Sequence, residues 1–375
     1  MKSFSLTEKQ FLDLLRSGLQ AEAPQKSLYG SPPDWPAIIH MARRQAVSAL
    51  VYDGMTRLPQ ELRPSRRLLL EWYADTLCIE RANMKVNQVL SDVYERYIQE
   101  GLTLILLKGQ GLAQYYTNPL HRQTGDIDLL FEKEYLQANQ IAHTFGTDFD
   151  SPTLHHTAYS YKGVTVENHC RYVYFYAASN RKAWAEWSET HPLDGEETLS
   201  LGKCHIPVPN PTANAIYVLL HLQHHFLNTG VGLRQVCDWI RLLTVRSNAI
   251  DRQVVSEAVC NLPIGLTLPA LQHIAVRWLG LNPSDAILPD RTPPIGKLGA
   301  LMLRDMMDTG NFGQDTAIGK SLRRGGSLDA IKAYALAQVR YARIHKFCPS
   351  EVEAYPIYWL KKQCKKLLQQ HGACN

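Results

Sequence analysis

No uninterrupted apolar run approaches the ~18 residues a membrane-spanning helix requires, so a bilayer partner is not expected. The eight cysteines (78, 170, 204, 237, 260, 348, 364 and 374) include no CxxC pair. Scattered thiols speak against a disulfide framework and against a cysteine-ligated zinc site, and they suit a reduced, cytoplasmic protein. The opening segment MKSFSLTEKQFLDLLRSG is broken by charges and lacks an apolar core of signal-peptide length, which gives the same expectation. Charge of one sign is scarce too. A net +5 over 375 residues, with the basic residues dispersed, permits an anionic ligand but disfavours a nucleic-acid groove. Internal repeats, low-complexity tracts, an HExxH pair and the spacing of a P-loop are all missing.

The remainder is the composition of an ordinary soluble protein, 45% hydrophobic and 20% charged, long enough for two or three cores. The first hundred residues read as helices. Ser5 and Glu8 form a capping-box pattern with Gly18 as a stop. "DWPAIIHMARRQAVSALVYDGM" supplies one further helix, and a long one from Ser65 ends at Gly101, a left-handed cap. The texture then changes. "LTLILLKG" and "DIDLLF" read as buried strands, with one or two helical turns and a loop between them. "EKEYLQANQIAHTF" reads as a helix. Hairpins are predicted about Lys162–Gly163 and Gly202–Lys203. Helical periodicity resumes from Thr212 to the end, with a Pro/Gly-rich break over 281–296. The expected fold is α+β: a small mixed sheet over 101–210, flanked by helical regions at 1–100 and 211–375.

Chemistry concentrates in "QTGDIDLLF". On a strand, Asp126 and Asp128 project from one face with Cα atoms ~6.6 Å apart, while Ile127 and Leu129 face the core. Two adjacent buried carboxylates repel, at a cost of several kcal/mol unless one is protonated. A divalent cation, or a pair ~3.5–4 Å apart, removes the penalty. The bland alternative is a surface strand end with an aspartate capping the next helix. Glu167, in "VTVENHC", can project from a neighbouring strand as a third acid. Lys108 and two glycines in "LLKGQG" can approach phosphate oxygens, and Arg122 can offer a forked guanidinium.

"LLKGQGLAQYY…HRQTGDIDLLF", followed by "VENHCR" and "HHFLNTGVGLRQVCDW", resembles the polymerase-β-like nucleotidyltransferase superfamily. More narrowly it is similar to a bacterial family of uncharacterised nucleotidyltransferases found near polysaccharide or modified-peptide biosynthesis genes. The resemblance covers roughly residues 30 to 245. It implies that Asp126, Asp128 and Glu167 are catalytic and hold Mg2+, as two ions, with Mn2+ as a substitute. It also implies that Lys108, Gly109, Gln110 and Arg122 bind a nucleoside triphosphate such as ATP. The superfamily turn usually carries serine where Gln110 stands, and the connection to Asp126 is longer than usual.

The implied activity is magnesium-dependent transfer of a nucleoside monophosphate to a hydroxyl-bearing acceptor, a small molecule, glycan or protein, with release of pyrophosphate. The alternatives are a catalytically degenerate nucleotide- or partner-binding relative and a D-x-D glycosyltransferase. The latter needs several strands before its D-x-D, where this chain reads as helical. His221, His224 and His225 share a helix face; without a spaced acid they read as cleft wall or core rather than as zinc ligands. Arg234 and Asp238, at i and i+4, are expected to pair. His169, His225, Arg234 and Asp238 are candidates to line the cleft. Trp184, Trp187, Trp239 and the tyrosines of "RYVYFYA" read as core.

Overall fold

The computed structural model describes residues 3–150, 155–193, 197–289, 295–314, 316–324 and 327–372. Three helices open the chain: α1 (Leu6–Gln20), α2 (Trp35–Arg44) and α3 (Ser48–Thr56). The Ser5–Glu8 capping box is present in both directions. Gly18 does not stop α1, which runs on to a left-handed Ala21. The glycine serves a helix crossing instead: a Cβ there would lie 1.8 Å from the Leu50 carbonyl oxygen, and one on Gly54 would lie 2.0 Å from that of Leu14. The helix expected from "DWPAIIHMARRQAVSALVYDGM" breaks in two at Ala46, which takes a positive φ of 55°.

Helix α4 (Arg66–Gln99) follows and closes at Gly101, φ 78°. Then come β1 (Ile105–Leu107), α5 (Gly109–Ala113), β2 (Ile127–Leu130), α6 (Tyr135–Ala142), β3 (His156–Tyr161) and β4 (Val164–His169). After α7 (Ala178–Thr190), strands β5 (Glu197–Leu201) and β6 (Cys204–Val208) form a separate hairpin. The rest is helical: α8 (Pro211–Asn228), α9 (Leu233–Val245), α10 (Arg252–Asn261), α11 (Thr267–Leu279), α12 (Ile295–Thr309), α13 (Ala317–Arg324), α14 (Ser327–Ile344) and α15 (Pro349–Gly372). The fold is α+β with a small mixed sheet and flanking helices, as the element order implied. Part of the predicted break over 281–296 lies outside the described residues.

The sheet has the order β1-β2-β4-β3, with β2 and β4 parallel and both outer pairings antiparallel. Alternation along each strand divides its side chains between two environments. Leu106, Ile127, Leu129, Tyr159 and Val166 pack with Val86, Val89, Val93 and Tyr97 of α4 in one apolar cluster. Leu107 and Leu130 belong instead to the larger cluster, which joins helices from both ends of the chain. Asn168 anchors β4 beneath the sheet. It accepts from the Tyr97 hydroxyl at 3.1 Å and donates to Asn139 Oδ1 at 3.1 Å. A buried amide satisfied on both ends resists rotation of the strand. That leaves Glu167 and His169 on the opposite face.

Candidate metal and nucleotide site

Register does the assembling. Asp128 on β2 sits opposite Glu167 on the parallel β4, and His169 on β4 sits opposite His156 on β3. Residues opposite one another share a face, as do residues two apart, so Asp128, Glu167, His169 and His156 all point the same way. Asp126 enters from the segment just before β2. One ligand atom each from Asp126, Asp128 and Glu167 lie within 4.8 Å of one another, and the same holds for His156, Glu167 and His169. This face forms one wall of a cavity of about 310 Å³.

Lys108, between β1 and α5, takes an uncommon conformation for a side-chain-bearing residue, φ 49° and ψ −133°. Such backbone costs on the order of 1–3 kcal/mol and is held by its surroundings. From this backbone the ammonium reaches Asp128 Oδ1 at 3.1 Å and His221 Nε2 at 3.4 Å. Gly109 follows with φ 41°, and a Cβ there would stand 3.6 Å from the Asp126 carbonyl oxygen. Gln110 is buried and its amide donates to Asn87 on α4, so its side chain is turned from the cavity.

The carboxylates are not equivalent. Asp128 is 3% exposed. Burial opposes its ionisation, but the Lys108 ammonium and the hydrogen bond from His169 outweigh burial and hold the carboxyl below its usual range. Asp126 is pushed up to about 6, chiefly by the charge on Asp128 and then by desolvation. Burial disfavours protonation of His169, yet its contacts with Asp128 at 3.0 Å and Glu167 at 3.1 Å raise it to about 9. The cluster therefore carries negative charge that Lys108 and His169 only partly offset. All-oxygen donors with surplus negative charge fit a hard divalent cation such as magnesium.

The facing wall comes from α8 and α9. His221, His224 and His225 line the cavity together with Tyr217. Burial first, then the nearby Lys108 and one another, keep these imidazoles neutral: His224 falls to about 4, and His221 and His225 fall well below the ordinary value. His224 Nε2 lies 3.0 Å from the Asn228 amide nitrogen.

Arg234 and Asp238 do not pair. Arg122 takes Asp238 instead in a buried fork, Nε to Oδ1 at 2.7 Å and Nη2 to Oδ2 at 2.8 Å, and the Tyr116 hydroxyl adds a third donor at 2.6 Å. A bidentate guanidinium–carboxylate pair outcompetes the flexible i, i+4 contact that sequence spacing suggests. Only Nη1 of Arg122 is left without a partner. Arg234 is 8% exposed, donates to the carbonyls of Gln123 and Thr124, and forms no ion pair among the described residues. Its Nε is buried and unpartnered. Both arginines reach the cavity, as do Lys108, Gly109, His169, His225 and Asp238.

Trp187 and Trp239 are core, Trp239 fully buried and bonded to the Ala215 carbonyl oxygen, while Trp184 packs partly buried against the larger cluster. Tyr172 and Tyr174 depart from that expectation and line the cavity. His155 and His156 carried no signal of their own. Yet a two-residue turn at Lys162–Gly163, both with positive φ, fixes the register that sets His156 opposite His169.

No helix among the described residues is long and apolar enough to cross a membrane. No curated protein and no solved structure matches the chain. Residues 31–280, spanning every side chain of the site just described, match the profile of one family, and by that match the chain belongs to the uncharacterised nucleotidyltransferase family.

Proposed function

We propose that this protein is a magnesium-dependent nucleotidyltransferase of the polymerase-β-like kind, moving a nucleoside monophosphate from a triphosphate such as ATP to an acceptor hydroxyl. Family membership supports nucleotidyl transfer in general. The observation that carries the specific reading is the meeting of Asp126, Asp128 and Glu167 within 4.8 Å beside Lys108. Magnesium held by these three carboxylates would offset their mutual repulsion and the charge of the triphosphate.

The chain's own side chains account for the rest. Arg234 lines the cavity with no ion pair among the described residues and would take the β- and γ-phosphates, while Lys108, paired with Asp128, would add its charge beside them. Arg122 contributes at most Nη1 directly, and its fork positions Asp238 and Tyr116. The acceptor oxygen forms a bond to the α-phosphorus, and the bond from that phosphorus to the bridging oxygen of pyrophosphate breaks. The hydroxyl proton passes to the carboxylate cluster, at Glu167, because Lys108 and His169 hold Asp128 ionised. Most of the rate gain comes from alignment and charge neutralisation.

The helices that precede β1 leave no room for the multi-stranded nucleotide fold a D-x-D glycosyltransferase places before its motif. Gln110, turned toward Asn87, keeps one second reading in view: binding without turnover. Incubation with each α-labelled triphosphate and magnesium, with and without small molecules and glycans from lysate, decides between them. Label in a product supports transfer. Calorimetric binding of a non-hydrolysable triphosphate with no labelled product from any acceptor supports the second reading.

A further inference from the structure

Glu167 belongs to two groups of potential ligands, and the second has a different chemistry. Its partners there are His156 and His169, whose rings lie 5.2 Å apart across the β3–β4 pairing. His169 Nε2 stands 3.1 Å from Glu167 Oε2, and His156 Nδ1 stands 3.8 Å from the same oxygen. Ligands around one ion with bonds of ~2.0–2.2 Å lie roughly 3–4 Å apart, so these separations need little adjustment. His169 Nε2 also approaches Asp128 Oδ1 at 3.0 Å. A ring nitrogen carries at most one hydrogen and cannot serve two carboxylates fully. A cation at that point attracts the nitrogen and both oxygens together.

We propose that His156, Glu167 and His169 form a mixed nitrogen–oxygen site for a late first-row divalent ion of the zinc or cobalt class, adjoining the oxygen-only site of Asp126 and Asp128 and sharing Glu167 with it. Two imidazoles and a carboxylate suit zinc, whereas magnesium prefers oxygen and water in octahedral array. Three protein ligands leave a position open toward the cavity. The α8 histidines offer no equivalent, since no carboxylate joins them in a ligand-spaced group among the described residues. The proposal rests on sheet register and ligand spacing and does not require that nucleotidyl transfer occur.

The test is titration of metal-stripped protein with Co2+, read by visible ligand-field absorption, with bound metal counted after gel filtration. The expected result is one Co2+ with nitrogen-ligand bands, displaced by Zn2+ and resistant to a large excess of Mg2+. His156→Ala and His156→Gln each weaken Co2+ binding by about tenfold or more, the loss typical when a metal's ligand set is disturbed. Asp126→Asn keeps the bands. Absence of the bands in the wild-type protein, ready displacement by Mg2+, or a spectrum unchanged in both His156 variants would overturn the site. Failure of α-label transfer with the Co2+ spectrum intact would count against the proposed reaction alone.

Discussion

On the sheet wall of the cavity, Asp128, Glu167, His169 and His156 stand in adjacent register positions and concentrate charge. On the helical wall, α8 presents imidazoles kept neutral by burial, and α9 presents Asp238 already matched by Arg122. One wall is electrostatically unfinished and the other nearly complete, with Arg234 as its exception. Under the proposed function the difference says where a ligand's charge would go: cations to the carboxylates of the strands, anions toward Arg234 and the edge of the sheet wall at Lys108. The helical wall then shapes and dries the space between them.

The sharpest way to break the comparison is to remove charge from the sheet wall. Asp128→Ala and Asp126→Ala are each expected to lower magnesium-dependent turnover by about 10³-fold or more, since both metal neutralisation and alignment are lost. Unchanged far-ultraviolet dichroism should accompany the loss, and retained turnover in either variant refutes the assignment. On the helical wall the largest effect should fall on stability. Arg122→Leu strands a buried Asp238 carboxylate and should cost about 3–5 kcal/mol in denaturant unfolding. A cost under about 1 kcal/mol would mean that the pair is not the fixture described.

Arg234→Met tests the exception. Loss of a charge-assisted contact to phosphate is worth ~1.5–3 kcal/mol, so KM for the triphosphate should rise about tenfold to a hundredfold, with unfolding midpoint little changed. A fall in kcat alone would recast Arg234 as a prop for the Gln123–Thr124 backbone. The smallest effect concerns the loop that leads into β2. His121 bridges Asp53 at 2.7 Å and Glu80 at 2.9 Å. Burial resists its protonation but these carboxylates prevail, so its pKa is raised. A raised folded-state pKa contributes stability that is fully present below the unfolded value and lost as pH rises through the folded one. The stability gap between wild type and His121→Gln should therefore be widest near pH ~6, no more than ~1 kcal/mol, and should narrow upward. A gap that widens with pH would reverse the sign.

The same two walls differ in how far the sequence disclosed them. Period-two alternation in "DIDLLF" and "VTVENH", with a Lys-Gly turn before the second, is local information, and local information sets strand faces and hairpin register. Asp126, Asp128 and Glu167 were legible for that reason. His156 was legible in principle from the same turn, but only once its pairing with His169 was followed out. The Arg122–Asp238 fork was not, because it joins a loop to a helix far along the chain and nothing in either segment names the other. Spacing on α9 pointed to Arg234 instead. Gly18 misled for a related cause: a glycine at a helix crossing and one at a helix stop look alike until the neighbouring backbone is in place.

The most direct measurement follows the fate of two labels on one triphosphate. With magnesium and a competent acceptor, the α-phosphorus label should enter the product while the γ-label leaves as pyrophosphate, and Asp128→Ala should abolish both. Transfer of the γ-label to the acceptor, or α-label transfer that survives in Asp128→Ala, would contradict the account at its centre.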